Sequence, residues 1–362
     1  MGFSDEHSLP LLLFFLHMLC FVSTDEASNK KVSALLVFGD STVDPGNNNN
    51  LTTVFKSNFR PYGRDFATQM PTGRFTDGRL TTDFVASYVG VKENLPPYLD
   101  STLSIEEMMT GVSFASGGSG YDPLTPRLSN VIPISKQLQY FREYKERLES
   151  AKGKEITEHH INKALFIISA GTNDFVVNYF SVPIRRQFYT VSTYHQFLLQ
   201  QAKEYIQSLC DEGARKIAVV GLPPMGCLPV VVTLYSNRSA ILQRGCVEQY
   251  SSIARDYNLM LQNELKLMQP SLANNGAKVY YIDIYGPLID MIQDQAKFGF
   301  NNVNVGCCGT GYLEASFLCN PTSSVCTDPS KYVFWDSIHP TGEAYHNLFN
   351  GIRSTLDLII NT

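Results

Sequence analysis

A serine, an aspartate and a histidine in this chain have the residue types and settings that nucleophilic acyl transfer requires. Ser41 follows Gly39 and Asp40 at the end of the apolar run 34–38, which predicts a buried parallel strand that leads into a loop. Open parallel sheets bind their ligands outside the carboxyl ends of the strands. A Gly-Asp-Ser turn alone is more often structural, so the rest of the chain must supply the partners of the serine.

The segment 334–341 contains the two partners that a nucleophilic serine needs. Asp336 precedes His339 by three residues. A serine hydroxyl is a weak nucleophile until a base removes its proton, and the imidazole needs a carboxylate that fixes its tautomer. We therefore predict that His339 is the base and Asp336 its orienting group. In the alternative interpretation, Asp336 caps a helix that begins near Thr341 and His339 is a surface turn residue.

Two further blocks carry groups that can stabilise the negative oxygen of a tetrahedral intermediate. Asn173 follows the apolar stretch 165–168, which predicts a side-chain amide donor at the carboxyl end of a strand. The glycines of 117–120 follow the stretch 112–116. A glycine lets a backbone N–H approach a substrate oxygen closely. Each block is a weak signal when taken alone.

The four blocks together resemble the GDSL family of SGNH hydrolases, in particular the plant-type GDSL esterase/lipases, whose blocks carry Ser, Gly, Asn and His in this order. The matching segments are VFGDSTVDPGNNN at 37–49, GVSFASGGSG at 111–120, GTND at 171–174 and DSIHPT at 336–341. The resemblance covers nearly everything after the N-terminal segment.

The resemblance implies a serine esterase or lipase that hydrolyses carboxylic esters through an acyl-enzyme. Ser41 attacks the ester carbonyl after His339 removes its proton, and Asp336 orients His339. The oxyanion hole consists of the N–H groups of Ser41 and Gly118 and the side chain of Asn173. His339 must be neutral to act as a base, which predicts a rate that falls below about pH 6 to 7.

The second block differs from the family at one position. Ser113 stands where the family commonly has Asn before Phe-Ala. Its side chain is still polar, so the loop can be held differently without losing its donor. The spacing from the preceding strand favours Gly118 over Gly117 as that donor.

Three more stretches resemble the family and are interpreted as scaffold: RPYGRDF at 60–66, PTGRFTDGR at 71–79 and GLPPMGCLP at 221–229. Arg64, Arg74 and Asp77 lie in them and could touch a substrate. Loops with interleaved Arg and Asp are more often salt-bridged surface.

Other reaction classes have no sequence support. The chain has no Gly-x-Ser-x-Gly elbow, Walker A motif, dinucleotide fingerprint, His-Glu-x-x-His or EF-hand pattern, so no cofactor or metal is implied. The expected partner is a small-molecule or lipid ester, with short-chain esters preferred. Two alternatives remain open: acyl transfer to an alcohol other than water, and a catalytically silent secreted binding protein. The sequence does not predict an oligomeric state.

The N-terminal segment predicts export. The stretch 9–22 is largely apolar, which suits a secretory signal peptide over residues 1–27 and is too short for a transmembrane anchor. The acidic Asp5 and Glu6 before it are atypical. A formal net charge of −5 argues against nucleic-acid binding.

Cysteines and glycosylation sequons also favour a secreted protein. We predict local disulfides among four clustered cysteines, with their pairing left open, and a third bridge between Cys227 and Cys246; the four are Cys307, Cys308, Cys319 and Cys326. Zinc is the rival interpretation, but Cys-x-x-Cys spacing is absent. Cys210 is the expected free thiol, and Asn50 and Asn237 are candidate glycosylation sites.

The remaining pattern predicts a single α/β domain over residues 28–362. Further strands are expected at 216–221 and 278–283, and helical periodicity covers 134–148 and 197–209. Alternating strands and helices favour a three-layer α/β/α sandwich with a mainly parallel sheet, SGNH-hydrolase-like and flavodoxin-like.

Overall fold

Five parallel strands form the central sheet of the computed structural model, which describes residues 31–236 and 243–362. The strands are β1 (Leu35–Gly39), β2 (Gly111–Ser113), β3 (Leu165–Ser169), β4 (Lys216–Val220) and β5 (Lys278–Ile282). Their order across the sheet is β2-β1-β3-β4-β5, and every neighbouring pair is parallel. β1 and β3 are buried along their whole length, which explains their continuous apolar sequences.

Helices cover both faces of this sheet, so the predicted three-layer α/β/α fold is confirmed. The α-helices of the described residues are α1 (Thr81–Tyr88), α2 (Ile105–Met109), α3 (Leu124–Ser129), α4 (Ile134–Lys152), α5 (Lys154–Lys163), α6 (Val191–Asp211), α7 (Pro229–Tyr235), α8 (Glu248–Ala273), α9 (Tyr285–Gln293) and α10 (Gly342–Ile360). Side chains from α4, α6 and α8 form the larger core on one face, and α1 and α10 pack on the other.

Successive residues of each strand point to these two cores in turn. In β1, Leu36 and Phe38 join the larger core, whereas Leu35 and Val37 join the smaller one. This is the period of two that a strand imposes on its side chains. The sheet therefore separates two apolar layers and presents its carboxyl edge to the loops.

A second, two-stranded parallel sheet lies outside the central one and was not predicted. It consists of β6 (Asn302–Gly306) and β7 (Tyr332–Phe334). β6 is half-buried over most of its length and carries two asparagines, so its apolar pattern is weak. Two disulfides lie between β6 and β7 in the sequence, Cys307–Cys326 and Cys308–Cys319, and a third, Cys227–Cys246, links the segments that precede α7 and α8.

Cys210 is buried in α6 and forms no disulfide. Burial raises the pKa of its thiol to about 11, so the thiol is protonated near neutral pH and has little nucleophilic character.

Residues Lys31–Thr362 form one compact unit. Within the described residues, no helix combines the length and apolar character needed to cross a bilayer. The predicted signal peptide at 1–27 and the sequon residue Asn237 lie outside the described residues, whereas Asn50 is exposed.

Candidate active site

The loop after β1 places Ser41 at the carboxyl edge of the central sheet. Gly39 ends the strand with φ of +137°, and a Cβ there would lie 1.8 Å from the carbonyl oxygen of Ser169. Only glycine fits this backbone and this gap. The amide of Gln137 then fixes Gly39 by accepting from its N–H and donating to its oxygen, each at 2.9 Å.

Ser41, His339 and Asp336 form a continuous hydrogen-bonded chain. The Ser41 Oγ lies 2.8 Å from His339 Nε2, and His339 Nδ1 lies 2.8 and 2.9 Å from the two carboxylate oxygens of Asp336. All three residues are buried. The serine oxygen is therefore in contact with a base whose other nitrogen is held by a carboxylate, the arrangement that activates a hydroxyl nucleophile.

Asp336 does not cap the helix that follows it. Its Oδ1 accepts the backbone N–H groups of Ile338 and His339 at 2.8 Å each. Thr341 is the N-cap residue of α10, where its hydroxyl accepts the N–H of Ala344. The short loop thus binds the Asp336 carboxylate and leaves it facing the imidazole.

Tyr62 is a further contact of Asp336 that the sequence interpretation missed. Its buried hydroxyl donates to Asp336 Oδ2 at 2.8 Å and accepts the N–H of Ser316 at 2.7 Å. Burial, and then the charge of Asp336, raise the pKa of Tyr62 well above its ordinary value, so the phenol stays a donor. The sequence signal was the stretch 60–66, which was interpreted as scaffold.

Two backbone N–H groups near Ser41 are free to bind an oxyanion. Among the described residues, neither the Ser41 N–H nor the Gly118 N–H has a protein acceptor. The Gly117 N–H is already bound by Asp44 Oδ2 at 2.9 Å. Gly118 has a φ of +88°, and a Cβ at this position would lie within 3.3 Å of Phe55 and Ser129. A side chain here would be strained, and glycine avoids this strain while its N–H lies at the cleft.

Asn173 supplies a third donor at the same place. One amide hydrogen binds the carbonyl oxygen of Ser119 at 3.0 Å, and the amide group has a second hydrogen to give. Asn173 directly precedes a π-helix, Asp174–Ser181, a rare geometry that often occurs at functional sites.

The buried carboxylate of Asp174 stabilises the segment that contains Asn173. It accepts the N–H groups of Tyr121 and Asp122 and the hydroxyl of Thr125. Burial raises the pKa of Asp174 to about 7. The carboxylate therefore ties the block that contains Asn173 to the loop that follows Gly118.

Two more buried carboxylates hold the serine loop. Asp44 accepts the N–H groups of Gly46, Asn47 and Gly117, and Asp40 accepts both the N–H and the hydroxyl of Thr42. Burial raises the pKa of each carboxyl to about 6.

Ser113, which stands where the family commonly has Asn, also joins the first and second blocks. Its hydroxyl donates to the Val43 carbonyl at 2.8 Å and accepts the N–H of Ala115. A serine can therefore hold this loop directly, and the departure from the family pattern leaves the loop bonded.

Arg64, Arg74 and Asp77, the charged residues considered as substrate contacts, are not among the described residues that line the catalytic cleft. Arg74 is buried in a bidentate pair with Asp83. Asp77 accepts the Gly342 N–H at the start of α10, and Arg64 donates to carbonyls at 326 and 327. Their contacts are those of a scaffold.

Four of the five predicted site residues, Ser41, Gly118, Asn173 and His339, line one cleft, and Asp336 contacts the buried side of His339. Its lining comprises Ser41, Val54, Phe55, Phe75, Gly118, Asn173, Val177, Ala315, Ser316, Phe317, Ile338 and His339. The Phe75 ring lies 5.0 Å from the His339 ring. In the described part of the chain, His, Cys, Asp and Glu side chains form no group able to hold a metal ion.

This α/β fold and its Ser-His-Asp chain define a class of serine hydrolases, and comparison with known proteins identifies the family. A family model described as GDSL-like Lipase/Acylhydrolase matches residues 35–352. The chain is 59% identical over 331 residues to GDSL esterase/lipase At5g45960 of Arabidopsis thaliana, covering 91% of this chain and 88% of the relative. It is 43% identical over 329 residues to GDSL esterase/lipase At1g06990 of the same plant, covering 90% of each.

The chain therefore belongs to the GDSL-like lipase/acylhydrolase family, as its four sequence blocks predicted. Membership makes it a carboxylic ester hydrolase. The comparisons concern the whole chain, so the roles of individual side chains are argued from geometry.

Proposed function

We propose that this protein is a secreted serine esterase that cleaves carboxylic esters through an acyl-enzyme on Ser41. The observation that carries the proposal is the hydrogen-bonded chain from the Ser41 Oγ through His339 to Asp336, with 2.8 Å at both links. Ser41 and His339 line a cleft, and so do Gly118 and Asn173, which carry the other two proposed oxyanion donors beside the Ser41 N–H.

In the first step, His339 Nε2 takes the proton of Ser41 as the oxygen attacks the ester carbonyl. Asp336 stabilises the resulting imidazolium and keeps its Nδ1 hydrogen directed at the carboxylate. The carbonyl oxygen becomes negative and accepts from the Ser41 and Gly118 N–H groups and the Asn173 amide. His339 then gives its proton to the departing alcohol oxygen.

In the second step, water replaces the alcohol beside His339. The imidazole takes a proton from this water, which attacks the acyl carbon, and the same oxyanion donors bind the second tetrahedral intermediate. Collapse of that intermediate releases the carboxylic acid, and the proton returns from His339 to the Ser41 Oγ. The cycle balances without any group beyond ester and water.

The proposal is tested by labelling the folded protein with a small fluorophosphonate and by measuring hydrolysis of a panel of esters. We expect the wild type to be labelled and to hydrolyse esters, and Ser41→Ala to lose both. Hydrolysis that survives in Ser41→Ala would refute the assigned nucleophile. A wild type that neither reacts with the phosphonate nor hydrolyses any ester would favour the silent binding protein.

Export is the second part of the proposal. Three disulfides in the described residues suit an oxidising compartment, and the apolar stretch at 9–22 suits a signal peptide. Expression of the full chain in plant cells is the test: we expect activity in the extracellular fluid and a new N-terminus near residue 28. Retention inside the cell would contradict export.

A mobility shift after glycosidase treatment, lost in Asn50→Gln, would show that the exposed Asn50 carries a glycan.

A further inference from the structure

Two loops from distant parts of the chain meet at the catalytic cleft. Val54 and Phe55 contribute one part of its lining, which we name the oxyanion wall, and Ala315, Ser316 and Phe317 contribute another, the base wall. Val54 and Phe317 are each about half exposed, so both walls border the opening. The cleft has a volume of about 80 Å³, whereas ligand pockets usually have roughly 300–1,000 Å³. The room between the walls therefore limits the width of a group that approaches the nucleophile.

The oxyanion wall is fixed to the part of the site that holds the oxyanion donors. The Phe55 ring lies beside Gly118, where a Cβ would come within 3.3 Å of it. The Phe55 carbonyl accepts from the side-chain amide of Asn48 at 2.8 Å. The Thr53 hydroxyl donates to the carbonyl oxygen of Ser129 at 2.7 Å. This wall is therefore held in place from the side of the oxyanion hole.

The base wall is fixed instead to the carboxylate that orients His339. The Ser316 N–H donates to the Tyr62 hydroxyl at 2.7 Å, and this hydroxyl donates to Asp336 Oδ2 at 2.8 Å. The disulfide Cys308–Cys319 closes the loop that contains this wall. Because each wall is anchored to its own part of the site, the distance between the walls depends on the contacts that join them.

The side chain of Ser316 joins the two walls. Its hydroxyl accepts the N–H of Lys56 at 3.0 Å, and it lies 2.5 and 2.9 Å from the carbonyl oxygens of Val54 and Lys56, to which it can donate. In the described part of the chain, no other hydrogen bond links residues 53–57 to residues 312–319. One buried hydroxyl thus supplies the hydrogen bonds that hold the walls together.

The backbone of Ser316 supports a specific need for this side chain. Its φ is +51°, and the two other left-handed positions of residues 302–341 are occupied by Gly309 and Gly311. Glycine adopts this conformation without strain, whereas other residues do so uncommonly and tend to be found at functional sites when they do. The hydrogen bonds of the hydroxyl to the oxyanion wall offset the strain that a serine has here.

We propose that Ser316 is a specificity-determining residue: its hydrogen bonds fix the gap between the walls, and this gap admits esters with unbranched groups beside the carbonyl and excludes branched ones. The inference rests on the proposed function and adds the shape of the substrate. The walls present the apolar side chains of Val54, Phe55 and Phe317 to the opening, so they discriminate between groups by width and not by hydrogen bonding.

The test compares two pairs of isomeric esters, in which only the branching differs. Pentanoate and pivalate of one phenol vary the acid, and butyl and tert-butyl acetate vary the alcohol. We measure kcat/KM and compare the ratio of branched to unbranched ester between variant and wild type, because intrinsic reactivity then cancels. We expect Ser316→Ala to raise this ratio about tenfold in at least one pair, since one carbon in an apolar pocket changes kcat/KM by at least about that factor. A ratio that rises in neither pair would overturn the proposal.

The choice of variants isolates the hydroxyl. Ser316→Ala keeps the backbone N–H that donates to Tyr62, so the contact with the base side is retained. Ser316→Gly also removes the hydroxyl, relieves the strained backbone and replaces Ser316→Ala if that variant fails to fold. Ser324→Ala is the matched control, because its hydroxyl lies in the same segment between β6 and β7, bonds to Gly309 and is not part of the described cleft lining. We expect Ser324→Ala to keep the wild-type ratio, and an equal rise in both variants would overturn the proposal.

The ratio does not depend on the fraction of active protein, so a loss of stability alone does not change it. Labelling by a small fluorophosphonate separates the two levels of the proposal. A wild type that is labelled and hydrolyses esters, with the same ratio in Ser316→Ala, refutes the role of Ser316 alone. A wild type that is not labelled and hydrolyses none of the four esters refutes the proposed function and the role of Ser316 with it.

Discussion

The two halves of the catalytic cleft are held by different physical means. The sheet half consists of the Ser41 loop, the Gly118 loop and the Asn173 block. These segments follow β1, β2 and β3 at the carboxyl edge of the five-stranded sheet. The stapled half consists of residues 302–341, with the two-stranded sheet, His339 and the disulfides Cys307–Cys326 and Cys308–Cys319. The buried carboxylates of Asp40, Asp44 and Asp174 hold the loops of the sheet half by hydrogen bonds. Disulfides stabilise the stapled half.

The two halves therefore respond to different perturbations. Buried carboxylates depend on pH, because their hydrogen bonds and their desolvation change with protonation. Disulfides depend on reductants. The hydrogen bond between Ser41 and His339 joins the halves, so activity reports the integrity of both.

The largest expected effects come from substitutions in the hydrogen-bonded chain of Ser41, His339 and Asp336, which joins the two halves. Ser41→Ala removes the nucleophile from the sheet half, and we expect kcat to fall about 10⁶-fold. Asp336→Asn acts in the stapled half by imposing the wrong imidazole tautomer, with an expected loss of about 10⁴-fold. Steady-state hydrolysis of one activated ester measures both, and equal circular dichroism spectra serve as the folding control.

Asn173→Ala probes the sheet half without touching the Ser-His-Asp chain. One oxyanion donor is lost, so kcat should fall about 10²- to 10³-fold. The effect on KM should be small, because the donor acts mainly on the charge of the transition state. Asn173→Ala with unchanged kcat would remove this residue from the oxyanion hole.

The double variant Cys308→Ser with Cys319→Ser probes the stapled half. The bridge closes the loop that carries Ser316 to Tyr62, and a misplacement of about 1 Å in the site costs about 10²-fold in kcat. We therefore expect that loss in kcat, while far-UV circular dichroism of the central sheet is retained. Cys210→Ser is the matched control, since Cys210 forms no bridge. Equal activity of both variants would show that the bridge does not position the base.

Tyr62→Phe removes one hydrogen bond from Asp336 and leaves the ring in place. A hydrogen bond to a charged group contributes about 1.5–3 kcal/mol, so we expect kcat to fall at least about tenfold. Thermal unfolding distinguishes positioning from simple loss of stability. A lower kcat at a temperature at which the variant is fully folded indicates that the Tyr62 hydroxyl positions Asp336. An unchanged kcat would leave Tyr62 with a packing role only.

The smallest expected effect concerns pH and the sheet half. Burial raises the pKa of Asp174 to about 7, above its value near 4 in an unfolded chain. The folded protein then holds a proton that the unfolded chain releases, so the contribution of Asp174 to stability is complete below about pH 4 and is lost as pH rises through 7. Thermal unfolding at pH 4.5 and pH 8 measures this.

Asp174→Asn supplies the comparison for that measurement. We expect lower stability overall, because the amide nitrogen meets N–H donors where a carboxylate oxygen accepted them. The decline in stability between pH 4.5 and pH 8 should be smaller than in the wild type. An identical decline in both proteins would show that Asp174 does not titrate in this range.

Sequence reasoning located the sheet half well, because its signals are local. The strands at 35–39, 165–169 and 216–220 are short apolar runs that end in Gly, Ser or a Gly-Pro-rich loop. Ser41 and Asn173 lie in the segments that follow the first two of these strands. The predicted stretch 112–116 was longer than the strand, which ends at Ser113. Beyond it the chain turns to bind the Ser41 loop.

The stapled half was less accessible to sequence reasoning. Tyr62 contacts Asp336 across 274 residues of sequence, and no local pattern marks such a contact. β6 contains two asparagines, so its sequence lacks the apolar pattern of a strand. The segment between β6 and its partner β7 is rich in glycine and cysteine, which also gives no strand signal.

The separation of Ser41 and His339 by 298 residues has a consequence for how the protein is made. Chains emerge from the ribosome N-terminal part first, and their early segments begin to fold before the rest exists. A nascent chain that ends before His339 already contains Ser41 but lacks the imidazole that contacts its hydroxyl in the folded protein. Under the proposed mechanism, an unfinished molecule therefore does not cleave esters.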